Sequence, residues 1–525
     1  MSTGQTVARA TLIVMIMLAL SRVLGLGREA AIAHQFGATH VTDAYYVAYT
    51  IPNIFYAVAG IALATVIVPI FTEYVTQGRR DEAWRLCSLV TNALIVFTAG
   101  AAVFGMLLAP SIVGILGAGF APETFRLSVQ LTIMMLPSII FFSLAGLFMG
   151  ILNANQVFGL PAFGSAAMNI VIIFGALFLG NYYGVYGLAA GVLGGAATMA
   201  LIQVPVLRRV GFRYSPELNL RHPEVKRVLY LMLPLTLGLS VNQVYLMIDW
   251  VLASGLAEGS IAALNYANKL IQLPQSLFVL AVSTAIFPTL SRHITEGHPA
   301  EMARTLGRGI KVVFLLTVPA VVGIVLLREP IVTLLFQRGA FDVRATEMTA
   351  VALLFFAVGL VGHCLVMLVS RGFFAVQDMK TPVYVTIGTL AVKLLASIVL
   401  VGPLAHAGLA LGTSITALLN TVLLVWLLQR RFPGLISADM LRFCGGVLAA
   451  AGVMGIAVYG VDLLLARLLA ATGFGLLLRV AIDISAGAIV YFVAGILMRL
   501  DELINIVHYG RRMVNGWYCG FRVRG

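Results

Sequence analysis

Charge is what this sequence of 525 residues has least of, since only 10% of its residues are Asp, Glu, Lys or Arg, against about 25% in a soluble globular protein. Together with 60% hydrophobic residues, that scarcity excludes an ordinary water-soluble enzyme. Cysteine is also sparse. Cys87, Cys364, Cys444 and Cys519 stand far apart and form no C-x-x-C, so neither a disulfide framework nor a thiolate metal site is indicated. A Walker lysine loop, an H-E-x-x-H helix and a G-x-S-x-G elbow are all missing. Gly25-Leu26-Gly27-Arg28-Glu29-Ala30 fits a loose dinucleotide pattern, but it lies inside an apolar run and follows no strand, which removes the phosphate-loop reading. The eight histidines are dispersed. His34 and His40 bracket one loop and are read as solvated, so no metal or cofactor is expected.

What the sequence has in abundance is long apolar runs. Successive runs of about 20 or more residues, separated by short polar pieces, are what bilayer-spanning helices require. They lack two-residue alternation, so they read as helices and not as barrel strands. Spans are expected near 10–33, 43–72, 86–116, 127–152, 160–180, 184–206, 228–254, 260–290, 310–335, 347–376, 381–402, 405–429, 442–468 and 476–499. The fold class is therefore an all-α polytopic membrane protein with about fourteen transmembrane helices. The stretch Ala10–Leu20 after Arg9 resembles a signal peptide, but Arg22, Arg28 and Glu29 interrupt it, so it is read as the first span.

The formal net charge is +13, from 34 basic and 21 acidic residues. The cations sit in loops beside apolar runs and not in an aromatic-interleaved tract, so orientation and anionic headgroups account for them and nucleic acid is not an expected partner. Loops 73–86, 207–227, 291–311, 376–381, 430–442 and the C-terminal tail hold most of the arginines. Both termini are accordingly expected in the cytoplasm, with loop 336–346, carrying Arg338 and Arg344, as the mixed exception.

Internal self-similarity exposes the architecture. Pro69-Ile70-Phe71-Thr72 matches Pro288-Thr289-Leu290-Ser291, and Gly187-Leu188-Ala189-Ala190-Gly191 matches Gly408-Leu409-Ala410-Leu411-Gly412. Ile51-Pro52 pairs with Leu273-Pro274, and Gly146-Leu147-Phe148 with Gly372-Phe373-Phe374. The expected organisation is an N-lobe of six spans at 1–215, a C-lobe of six at 222–431, two additional spans at 438–505 and a cytoplasmic tail at 506–525. An even number of spans per half gives a parallel repeat, with its pseudo-two-fold axis along the membrane normal and a central cavity expected between the halves.

A charge at mid-bilayer costs about 2.5–3.5 kcal/mol on insertion scales, so each one needs a reason. Arg22 and Arg28 in the first span are six residues apart, which offsets them by roughly 120° around the helix, and Glu29 is adjacent. Asp43 opens the second span. Lys269 shares a face of the eighth span with Asn265 and Gln272, at steps of four and three. Arg22, Arg28 and Lys269 read as a cationic cavity for an anionic headgroup, because the guanidinium fork pairs with phosphate. Asp43 and Glu29 are candidate counter-charges or gates. The plainer reading is that Arg28 and Asp43 snorkel at span ends or pair with each other. Asp249 and Lys393 are candidates for ion coupling or for a structural pair. Asp462, Arg467, Arg479 and Asp483 flank the last two spans, where interface placement accounts for them.

Ser21-Arg22-Val23-Leu24-Gly25, Arg28-Glu29, Phe36-Gly37, Thr42-Asp43-Ala44, Pro52-Asn53 and Val68-Pro69-Ile70-Phe71 together resemble the N-terminal signature of the MurJ (MviN) lipid II flippase family. That family lies within the multidrug/oligosaccharidyl-lipid/polysaccharide exporter superfamily. The likeness continues through Asn265–Leu270, Phe287–Ser291, Gly372–Ala375 and Asp378-Met379-Lys380-Thr381-Pro382. It implies two six-helix lobes and alternating access that moves an undecaprenyl-diphosphate-linked peptidoglycan precursor from the inner to the outer leaflet. It also implies roles for Arg22, Arg28 and Asp43, a substrate-contacting position for Lys269 in place of the arginine of many relatives, and a lipid-tail groove in the last two spans. Asn53 and Gln272 join the candidate substrate contacts. Tyr56, Gly60-Ile61 and Gln272 depart from some members' residues at those positions.

The expected function is transport and not enzymatic catalysis, with lipid II and membrane lipids as partners and no cofactor. A cation gradient or the membrane potential would drive it. The expected protein is a monomer in the bacterial cytoplasmic membrane. The alternative is a flippase for another polyprenyl-linked saccharide, or a cation-coupled exporter of the same superfamily, although a drug exporter should favour acidic cavity residues. A membrane glycosyltransferase would need a catalytic carboxylate and a larger extramembrane region, and a non-transporting scaffold would leave the buried arginines unexplained.

Overall fold

The computed structural model describes residues 3–219, 222–469 and 473–504; the expected tail at 506–525 lies outside the described residues. These residues form helices joined by short turns, with no strand among them. The long helices are α1 Thr3–Phe36, α2 His40–Thr76, α3 Arg80–Leu107, α4 Pro122–Met135 with Ser138–Ala154, α5 Gly159–Tyr183, α6 Val185–Arg209 and α7 Pro223–Ala253. They continue as α8 Ser260–Thr295, α9 Pro299–Phe336, α10 Val343–Ala375, α11 Lys380–Leu404, α12 His406–Arg431, α13 Ala438–Leu468 and α14 Gly473–Leu497. Ten of them are each long and apolar enough to cross a bilayer, and α4 and α8 add two more as spans bent by 43° and 42°. The other two, α1 and α7, have 34 and 31 residues, which at about 1.5 Å per residue exceeds the ~30 Å hydrocarbon core.

The fourteen helices coincide with the expected spans, with one displaced boundary. The third span was expected to reach 116, but α3 ends at Leu107 and a separate short helix runs from Ala109 to Leu116. Leu108 leaves helical geometry (φ −90°, ψ 2°), and Pro110 brings no N–H and a ring that clashes with the preceding turn, so the chain restarts with proline in the first turn.

The repeat is visible in the backbone. Left-handed residues recur in register: Gly37 with Gly259, Gly78 (φ 75°) with Gly297 (φ 74°), Gln156 with Gln377 (both φ 60°), and Gly211 with Gly434. The one-residue break between α5 and α6 is Gly184 (φ 59°, ψ −143°), and its counterpart between α11 and α12 is Ala405 (φ 49°, ψ −132°). Both halves therefore turn at matching places, and at Ala405 a Cβ is carried in a conformation suited to glycine.

The chain packs as two compact units, one of residues up to Ala263 with Phe336–Ala345, the other of Leu264–Leu335 with residues from Thr346 onward. The packing division, between Ala263 and Leu264, falls inside the C-lobe expected at 222–431, with α7 in the first unit. In the first unit Trp84 is wedged between Phe71 (4.7 Å between ring centroids) and Phe212 (5.8 Å), amid Leu63, Ile67, Leu147 and Ile151. In the second, α13 and α14 pack on α9 through Phe443, Val447, Met454 and Leu315, and Tyr491 donates its hydroxyl hydrogen to the Leu315 carbonyl (2.8 Å). Large apolar side chains such as Phe97, Phe104, Leu107, Val399 and Ile456 lie on the outside, as helices bathed in lipid require and as a water-soluble monomer avoids.

The segment Asp378–Pro382 is a helix start. Asp378 accepts from the amide (3.0 Å) and the hydroxyl (2.8 Å) of Thr381, and from Arg431 (3.2 Å). Burial pushes its carboxyl up, but these donors outweigh that and hold it below the usual range.

Candidate functional site

The buried charges of the first unit are organised by α1, α2 and α5. Glu29 is 1% exposed and pairs with Arg28. It also accepts from the Tyr46 hydroxyl at 2.7 Å. Arg28 donates through Nη1 to Asn169 Oδ1 (3.2 Å) and lies 5.9 Å from the Tyr49 ring centroid. Tyr45 stacks on Tyr49, fixing that aromatic wall. An isolated charge would be prohibitive here, so Glu29 is the reason Arg28 can be buried. The guanidinium is not saturated, since its Nε is buried without an acceptor. Arg28 and Asp43 do not pair with each other, as the plainer reading allowed; each has its own partner.

Arg22, two turns earlier on α1, is exposed. Asn169 links the two positions by donating to the Ser21 carbonyl (3.2 Å) while accepting from Arg28. Lys269 and Gln272 are half-buried on α8, and Gln272 donates to Asn268 (3.4 Å). The candidate cations are divided between the units, Arg22 and Arg28 in the first and Lys269 in the second. Asn53 is half-buried on α2, directly after Pro52. Beyond it the helix widens into a π-turn, Tyr56–Gly60, in which the Tyr56 amide bonds back to the carbonyls of Pro52 and Asn53. Proline removes a donor, and the extra residue in the turn absorbs the mismatch. It sets the Tyr56 ring 5.3 Å from Phe142.

Asp43 has a different job from a free counter-charge. Its carboxylate accepts from the amides of Gly259 (2.7 Å) and Ala262 (2.8 Å), capping the start of α8 across 216 residues. The first amides of a helix have no internal partner and carry partial positive charge, so a carboxylate there satisfies both needs. Around the cap three turns meet. Gly259 (φ 86°) approaches so closely that a Cβ would sit 2.1 Å from the Ala38 carbonyl oxygen, and a Cβ on Gly37 would sit 2.4 Å from that of Ala340. The Ala340 amide donates to the His34 carbonyl (2.8 Å), and Arg344 reaches the Glu258 carbonyl (3.3 Å). Gly119 joins them, its amide donating to Ser254 Oγ (3.0 Å). The turns at 34–43, 117–121, 254–262 and 336–344 are thus held together by backbone and side-chain hydrogen bonds, with no room for a Cβ at Gly37 or Gly259.

Asp249 is buried on α7, and Lys393 is buried on α11, where its ammonium donates to Thr413 Oγ1 on α12 (3.1 Å). They belong to different units. At the last two spans, Arg479 binds Asp462 (2.7 Å), but Asp483 is fully buried and does not take the interface position expected of it. Sequence reasoning did not find Asn169, Gly259 or the Ala38 and Ala340 carbonyls. The matched glycines at 37 and 259 were the available signal.

A family model described as lipid II flippase MurJ matches residues 32–480. The lipid II flippase MurJ of Burkholderia cenocepacia is 37% identical over 459 residues, covering 85% of this chain and 89% of that protein. The probable lipid II flippase MurJ of Haemophilus influenzae is 32% identical, covering 84% and 90%. A solved lipid II flippase MurJ in an inward closed conformation aligns with a TM-score of 0.80 at 25% identity, over 93% of this chain and 99% of that one. An inward-facing MATE family multidrug resistance transporter aligns at 0.66 with 16% identity, over 81% and 98%, a likeness of fold alone.

Proposed function

This chain belongs to the lipid II flippase MurJ family, and from that membership we propose that it moves lipid II from the inner to the outer leaflet of the bacterial cytoplasmic membrane. The observation that carries the reading is the match of 85% of the chain, repeats included, to a lipid II flippase at 37% identity. It is a multi-pass membrane transporter and not an enzyme.

The physical task is to pass a charged diphosphate and its sugars through hydrocarbon while the polyprenyl tail stays in lipid. In our reading Arg22, Arg28 and Lys269 replace the water of the diphosphate, and Asn53 and Gln272 add neutral hydrogen bonds. Arg28 is held ready by Glu29 and Asn169, so the diphosphate competes with a carboxylate for it, which favours release once the site opens outward. In the same reading the Asp43 cap and its interlocked turns act as the outer gate. Alternating access then exchanges this closure for one on the other side, with both termini cytoplasmic and the protein working as a monomer. A cation gradient or the membrane potential supplies the bias, worth about 2.3 kcal/mol per charge per 100 mV. Asp249 and Lys393 are the candidates for sensing it.

The test is depletion of the protein in its own host, followed by measuring lipid II accessibility on the outer leaflet. The wild-type chain should restore exposure, and Arg22→Ala and Lys269→Ala should each fail at equal expression. Normal exposure without the protein or any relative would remove the reading.

A further inference from the structure

A cavity of 570 Å³ opens in the first unit at the start of α3, and none of the candidate site residues assigned above lines it. Three arginines line it, Arg80 at the start of α3, and Arg209 and Arg213 around the end of α6, against one carboxylate, Asp81. Arg80 is fixed in place. Its Nη2 donates to the Val210 carbonyl (3.1 Å) and Asn155 Oδ1 (3.4 Å), and its guanidinium carbon lies 5.8 Å from the centroid of the Trp84 ring. Trp84 is itself clamped between Phe71 and Phe212, so the floor is rigid. Other arginines at this end are neutralised, Arg79 by Glu82, and Arg85 by both oxygens of Glu217. Arg209 and Arg213 have no side-chain hydrogen bond or ion pair among the described residues. The α3 helix, 28 residues long, begins at Arg80, so its positive end lies beside the pocket.

A rigid, wide pocket with two net positive charges and two unengaged guanidinium forks has the chemistry of a phosphate receptor. Its volume lies within the range of about 300–1,000 Å³ typical of small-molecule sites and exceeds what a lone phosphate would fill. We propose that Arg80, Arg209 and Arg213 bind a phosphate-bearing anion at a site separate from Arg22, Arg28 and Lys269. The phosphate has two sources, the headgroup of an anionic phospholipid or a soluble phosphate compound. Basic pockets between membrane helices commonly serve the first.

The experiment is titration calorimetry on the purified, lipid-stripped full chain in detergent, with dioctanoyl-phosphatidylglycerol, dioctanoyl-phosphatidylcholine and inorganic phosphate as probes. Phosphatidylglycerol should bind saturably and phosphatidylcholine should not. Arg209→Gln with Arg213→Gln should weaken binding about tenfold or more, while Arg292→Gln with Arg304→Gln changes it less than twofold. Asp81→Asn should tighten binding by up to about fivefold, a gain that misfolding cannot produce. Saturable binding of inorganic phosphate with the same variant pattern, and no preference for phosphatidylglycerol, would support a soluble source. Equal binding by parent, Arg209/Arg213 and Asp81 variants, or no binding of either anionic probe, overturns the proposal.

Discussion

Replacing Asp43 by alanine tests the proposed gate most directly. Its carboxylate accepts two buried amide hydrogens, from Gly259 at 2.7 Å and Ala262 at 2.8 Å. Hydrogen bonds to a charged group are worth about 1.5–3 kcal/mol each, and a buried amide left without an acceptor costs about 1–3 kcal/mol. Water admitted among the turns recovers part of this, so the closed arrangement should lose about 2–4 kcal/mol. At 1.4 kcal/mol per factor of ten, the opening equilibrium should rise by at least about 30-fold. Asp43→Asn keeps one acceptor and should fall roughly midway on the logarithmic scale. The assay is the labelling rate of a thiol introduced as Ala263→Cys, a fully buried position in the first turn of α8, after replacing the native cysteines. Labelling by a membrane-impermeant maleimide tracks the open population when opening is fast. A labelling rate within twofold of the parent's, in a variant whose thermal unfolding shows it folded, would refute the assignment of Asp43 as the closing contact.

Three further outcomes are expected. Glu29→Gln should lower unfolding free energy by about 3–5 kcal/mol because it strands the Arg28 charge, and Arg28→Met added to it should recover most of the loss; a single variant as stable as the parent would contradict this. Ala405→Gly should raise stability by about 1 kcal/mol by releasing a Cβ from left-handed geometry, while Gly184→Ala should lower it by about 1–3 kcal/mol, both read by thermal unfolding in detergent. Asp378→Ala should cost about 0.5–2 kcal/mol at neutral pH through loss of the cap on α11. Because the folded carboxyl titrates below its unfolded value of about 3.9, that difference is complete above this pH and shrinks as pH falls through the lower folded value. A pH-independent difference would point to packing instead.

The spans were legible because a bilayer imposes one rule on every segment that crosses it, and a run of about 20 apolar residues satisfies that rule whatever its neighbours are. The repeat was legible for a related reason. Turn residues are set by local backbone geometry, so Gly78 and Gly297, or Gly184 and Ala405, keep matching conformations in matching places. The end of α3 was missed because hydropathy continues through Leu108 and Ala109 while backbone geometry does not, and Pro110 was the local signal.

By itself, then, the amino-acid order determined an all-helical membrane protein, its duplication and the short list of charges that need explaining, since each follows from local composition and the cost of polar groups in hydrocarbon. Which partner each charge takes was decided by tertiary structure alone. Asp43 closes on amides 216 residues away, Arg28 meets Asn169 across 141, and Arg80 meets Val210 across 130. Hydrogen bonds and ion pairs act over about 3 Å, so they depend on where distant segments come together, and no single stretch of sequence carries that distance.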